Sequence, residues 1–151
     1  MLHRRMDPAA KLGCMAAQDT IAALRSVFDS RDDVELALLF GSTARGQARA
    51  DSDVDVAVHA PSADLLELAA RISDATAREV DIVALADATL PLLEELVRDS
   101  IVIHEGRPGA AARWRFHALL TLETDGPIYR RMRDAFLAKL ASASTVVRPG
   151  T

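Results

Sequence analysis

At 151 residues the chain has the length of one domain, and 50% hydrophobic with 26% charged residues is an ordinary globular balance that can furnish a core. A net charge of −4 and 4% aromatic residues argue against direct nucleic-acid binding, which calls for a cationic face for phosphates and flat rings for bases. The single cysteine, Cys14, excludes an intrachain disulfide and a cysteine-based zinc cluster and reads as a small helical core residue, while the absence of a membrane-length apolar run or a signal-type apolar segment after Met1 predicts a cytoplasmic protein.

Pro8 to Phe28 reads as a helix whose apolar stripe includes Leu12, Ile21, Leu24 and Phe28. Val34 to Phe40 is an apolar strand, and a Gly41-Ser42 turn follows it directly and opens a short helical segment. Val54 to Val58 is a second strand, entered through Asp53-Val54-Asp55. Ser62 is the expected cap of a helix carrying Leu65, Leu68, Ala69, Ile72 and Thr76. A third strand spans Glu79 to Leu85, Thr89 caps a helix with Leu92, Leu93, Leu96 and Val97, and Ile101 to Ile103 is a short edge strand. Two further helices are expected over Ala110 to Glu123 and Ile128 to Ala143, separated by a Gly126-Pro127 break. The reading is an α/β (α+β) fold: a small mixed sheet with flanking and C-terminal helices, one domain over residues 1–143 and a frayed tail over 144–151.

The acids carry the chemistry. Side chains two apart in a strand share a face about 6.5 to 7 Å apart, so Asp53 and Asp55 point one way and Val54, Val56 and Val58 the other; one face packs and the other binds. Asp81, alternating with Val80 and Ile82, has the parity to join them. Clustered carboxylates repel and raise one another's pKa, and a hard cation such as Mg²⁺, which takes oxygen ligands and leaves positions for substrate phosphates, is the natural counter-charge. Gly41 lets the backbone approach a bulky anion, and Ser42 with the amides that follow can hold phosphates. Arg45 is a further phosphate candidate; Arg49 reads as a solvated loop cation.

A lone Asp-x-Asp or Gly-Ser carries little weight, since surface acids and turn residues are common. Leu39-Phe40-Gly41-Ser42-Thr43-Ala44-Arg45-Gly46, then Asp51-Ser52-Asp53-Val54-Asp55-Val56, then Val80-Asp81-Ile82-Val83 together resemble the MNT-type minimal nucleotidyltransferases of the polymerase-beta superfamily. The resemblance extends over about residues 34 to 105 and is greatest to the antitoxin branch, in which a small MNT protein silences a HEPN-domain toxin RNase by transferring AMP from ATP to a toxin tyrosine. It implies ATP as substrate, two Mg²⁺ ions held by Asp53, Asp55 and Asp81, and Gly41, Ser42 and Arg45 on the nucleotide. Asp81 would double as the general base for the acceptor hydroxyl. A HEPN toxin is the implied partner, in a homo- or hetero-oligomer. Two alternatives stand beside this reading: a small-molecule nucleotidyltransferase, which needs a walled pocket, and a binding antitoxin without turnover.

Three features lie outside the motif. Arg113, Arg115, Arg130, Arg131 and Arg133 form either a solvated helix face or a basic rim toward an acidic partner or the nucleotide. His59, His104 and His117 have no shared metal spacing and read as surface or half-buried histidines. Tyr129, Met132, Phe136 and Leu140 form a helical stripe expected to pack in the core.

Overall fold

The computed structural model describes the backbone of residues 8–144 and side chains from Ala17 onward. The expectations for the Leu12 and Cys14 side chains, for Met1 to Asp7 and for the tail beyond Ser144 fall outside the described residues. Helix α1 (Pro8–Phe28) precedes β1 (Leu36–Phe40), α2 (Gly41–Ala44), β2 (Val54–His59), α3 (Leu65–Thr76), β3 (Val80–Ala84), α4 (Leu90–Asp99), β4 (Ile101–Glu105) and α5 (Ala110–Ser144). The four strands form one mixed sheet in the order β3-β2-β1-β4, with β1 antiparallel to β2 and β4 and β2 parallel to β3. Every residue of β1 is buried, as a strand flanked on both edges and covered on both faces must be. The short strand β4 is at an edge, as the sequence predicts.

The parity of the strands assigns the layers. Val54, Val56 and Val58 of β2 pack with Ala37 and Leu39 against Leu24 and Phe28 of α1 and Leu68 and Ile72 of α3. On the other face, Leu36, Leu38, Phe40 and Ala57 pack with Leu96 of α4, with Ala110, Ala111 and Trp114 of α5 at the periphery. The expectation that one face packs and the other binds is therefore corrected: helices cover both faces, Ala57 two residues beyond Asp55 is fully buried, and only the end of the sheet is left for binding.

Two caps illustrate local control. Thr89 Oγ1 accepts from Leu92 N, as expected. Ser62 does not cap α3; Asp64 does, accepting from Leu66 N at 3.0 Å and Glu67 N at 3.3 Å, because a carboxylate beside the free amides of a first turn is an effective cap and also meets the positive end of the helix.

The predicted break at Gly126-Pro127 is absent. Helix α5 runs through it. A proline normally clashes with the Cβ of the residue before it, and Gly126 has none; the Glu123 carbonyl deprived of its donor lies on an exposed part of the helix, where water can satisfy it. Just beyond, Arg130 Nη1 donates to Glu94 Oε1 of α4 at 3.0 Å and ties the helix down. The expected core role of Tyr129, Met132, Phe136 and Leu140 is also corrected: all four are exposed, because α5 outruns the body of the protein. No described helix is long and apolar enough to cross a membrane.

Candidate active site

Phe40 pairs with Asp55, so the chain leaving β1 turns at Gly41 directly over that carboxylate. Gly41 has φ +73, and a Cβ built on it would lie 2.1 Å from Asp55 Oδ2. Only glycine satisfies both conditions, the left-handed backbone and the missing side chain. Ser42 is half-buried at the start of the four-residue α2, whose opening amides have no partners within so short a helix. Its carbonyl is occupied by Gln47 N at 2.8 Å, which closes the loop.

Asp55 pairs in register with Asp81 on the parallel neighbour β3, a strand spacing of about 4.8 Å. Val83, two residues after Asp81, packs with the Ala57 layer, so Asp81 and Asp55 share a face as the alternation predicts. Asp53 lies one residue before β2 begins and is exposed, as is Asp81; Asp55 is half-buried. Burial pushes the Asp55 carboxyl above its usual range, the charges of Asp81, Asp53 and Glu95 push it further, and Arg45 opposes them.

Arg45 Nη1 donates to Glu95 Oε1 at 3.0 Å, an ion pair between the end of the Gly-Ser turn and α4. The structure brings Arg45 to the edge of the carboxylate cluster, held there by a residue the sequence did not single out. Glu95 follows Glu94 on an amphipathic helix and looks like any solvated acid; only the placement of α4 against β1 carries it to Asp55. Arg49 is exposed on the loop, with its backbone N bonded to Ser52 Oγ. His59 is exposed beside Glu35, His104 stacks on Phe28, and His117 is exposed against Phe116.

A cleft of about 360 Å³ lined by Ala50, Asp51, Ser52, Asp53, Arg78 and Glu79 adjoins the acids. A larger hollow of about 570 Å³ between α1 and α3 is lined by none of Asp53, Asp55 and Asp81; the convergence of charge, and not volume, marks the site. Among the described residues no three acidic, histidine or cysteine side chains converge as a ready metal cage. The donor set nonetheless fits Mg²⁺, which is commonly held by one or two carboxylates plus substrate phosphates and not by an all-protein cage: all donors are hard oxygens, and Asp55 sits in a surplus of negative charge.

The polymerase beta nucleotidyltransferase profile matches residues 22–108, which include the Gly-Ser turn and all three acids. The chain belongs to this family of enzymes. No protein of curated function matches the sequence. Among solved structures, a chain of a toxin-antitoxin complex with AMP-PNP is 21% identical with a TM-score of 0.66, over 78% of this chain and 98% of that one. A chain of the MntA-HpeT toxin-antitoxin mutant D39ED41E is 22% identical with a TM-score of 0.63, over 80% and 98%. A chain of the tri-AMPylated Shewanella oneidensis HEPN toxin in complex with MNT antitoxin is 20% identical with a TM-score of 0.58, over 83% and 98%. These likenesses establish a shared nucleotidyltransferase fold.

Proposed function

We propose that this nucleotidyltransferase is an antitoxin that transfers AMP from ATP to a tyrosine hydroxyl of a partner HEPN toxin RNase in the cytoplasm, where ATP and Mg²⁺ are available. The observation that carries the reading is the seating of the Gly41 backbone on the Asp55 carboxylate with Asp81 in register beside it, in a fold shared with chains of toxin-antitoxin complexes, one of them bound to AMP-PNP. A protein acceptor suits the site, since Asp53 and Asp81 are exposed at an open sheet end instead of lining an enclosed pocket.

In this reading the Gly41-Ser42 backbone and the Ser42 hydroxyl bind the β- and γ-phosphates, and Asp53, Asp55 and Asp81 would hold two divalent metal ions. When bound, the metal supplies neutralisation of charge on the attacking and leaving oxygens. The acceptor oxygen attacks the α-phosphorus in line, the bond to the pyrophosphate oxygen breaks, and pyrophosphate leaves with its electron pair. Asp81 accepts the hydroxyl proton. Arg45, drawn from Glu95 toward the triphosphate, adds positive charge at the phosphate end.

Incubation with a HEPN-domain partner protein, ATP and Mg²⁺ should add mass in AMP increments to a tyrosine of that protein and suppress its RNase activity. A nucleotide at an RNA-cleaving cleft places negative charge where an RNA phosphate would bind. RNase suppression with no added mass would make the protein a binding antitoxin; labelling of a small molecule instead would move the acceptor.

Asp81→Asn should separate binding from chemistry. Nucleotide affinity, resting on Gly41, Ser42, Asp53 and Asp55, should be largely kept, while single-turnover transfer falls by about 10² to 10⁴, the range for loss of a general base. Normal turnover in this variant would remove Asp81 from that role.

A further inference from the structure

Helix α5 carries one apolar line in two halves. In the first half Trp114 and Leu122 are half-buried and Ala118 is buried against the body. Five helical turns take 18 residues and about 27 Å, so Met132, Phe136 and Leu140 repeat the positions of Trp114, Ala118 and Leu122 on the same line. There, among the described residues, they are left largely uncovered: Met132 is 69% exposed, Phe136 62% and Leu140 49%, with Tyr129 beside them. Every residue from 127 to 144 is exposed. A helix in a protein draws most of its stability from packing of its apolar face, and a contiguous apolar strip of this kind marks an interaction surface.

Charge selects the occupant. Residues 128–144 hold four cations, Arg130, Arg131, Arg133 and Lys139, against one anion, Asp134, a surplus of three in a chain whose net charge is −4. Pairing the strip with a second copy of itself would oppose two cationic segments; a partner helix bordered by carboxylates would not. Position selects the role. Arg130 binds Glu94, and the next residue, Glu95, binds Arg45 beside Asp55, so the overhang leaves the body at the rim of the carboxylate cluster.

We propose that Tyr129, Met132, Phe136 and Leu140 form the docking strip for the acceptor protein, receiving a helix of the HEPN partner whose apolar face is edged by Asp and Glu. This rests on the reading that the acceptor is a protein. The strip holds that partner while its hydroxyl reaches Asp81 and the nucleotide.

The test uses the full chain and a HEPN-domain protein as the partner. The chain alone should run as a monomer by light scattering at micromolar concentration; a dimer dissociated by Phe136→Glu would overturn the assignment in favour of a second copy. By calorimetry, Met132→Glu with Phe136→Glu should weaken partner binding about 10²-fold or more, each exposed side chain contributing a kcal/mol or more on burial, and raised salt should weaken the wild-type complex. The thermal shift given by ATP with Mg²⁺ should be unchanged, which certifies folding and an intact nucleotide site. Unchanged partner affinity in the double variant, or no wild-type binding, overturns the docking strip. Wild-type binding lost in the variant but without AMP transfer leaves the strip standing and refutes the proposed chemistry instead.

Discussion

Asp53→Asn with Asp55→Asn is expected to abolish AMP transfer and the rise in melting temperature that ATP and Mg²⁺ give the wild type. A ligand that binds only the folded state stabilises it by RT ln(1 + [L]/Kd), about 2.7 kcal/mol at a hundredfold excess over Kd. An equal thermal shift in the double variant would take the metal away from these residues. The single change Asp55→Asn carries a second, opposite expectation for the metal-free protein. The Asp55 carboxyl is held above its usual range, first by burial and then by Asp81, Asp53 and Glu95. Between the unfolded value, near ~3.9, and the raised folded value, the folded state binds more protons than the unfolded one. Stability contributed by this group is therefore lost as pH rises through that window. At neutral pH, without metal, Asp55→Asn should melt higher than the wild type and show a flatter stability profile across the acid range. A lower melting temperature there would mean that the charged carboxylate is satisfied in the absence of a cation.

Gly41→Ala should be as damaging to activity as removing an acid, through geometry alone. The new methyl would fall 2.1 Å from Asp55 Oδ2 on a backbone with φ +73. The conformational cost for a residue with a Cβ is about 1–2 kcal/mol, which a folded domain can survive. The carboxylate cannot stay where it is, and displacement of a catalytic group by an ångström costs on the order of 10² in rate. The expected result is a folded protein, a modestly lowered melting point, and loss of both the thermal shift with ATP and Mg²⁺ and the transfer reaction. Wild-type transfer would show that the turn can move off Asp55 and that the contact between them is incidental.

Much of the fold was legible because its signals are local. Period-two alternation in Val54-Asp55-Val56 and Val80-Asp81-Ile82 assigned strands and faces together, and the observed register of Asp55 with Asp81 follows that parity. The end of β1 at Gly41 was legible for the same reason. The cap of α3 moved from Ser62 to Asp64, two neighbouring residues able to cap, between which local chemistry discriminates weakly. The Gly126-Pro127 break failed differently: glycine before proline is read as a stop, yet here it is what lets the helix pass, while the bond from Arg130 to Glu94 helps hold the next turn. Periodicity marks the stripe from Tyr129 to Leu140 as apolar but does not bury it, since it gives a face of a helix and not the distance to which the rest of the protein extends along it.

Local signals alone supply the components of the candidate site: a glycine where the chain turns after an apolar strand, a serine beside it, and three acids of matching parity, because backbone conformation and side-chain alternation are set within a few residues. The packing of the layers left the acids at the end of the sheet, since α4 and α5 cover the face on which they point. It also decided that Glu95 of α4 holds Arg45 at 3.0 Å, and that the Asp55 carboxyl is raised by burial and by its neighbours. Electrostatic coupling depends on distances between segments remote in the chain, and those distances exist only once the layers have packed.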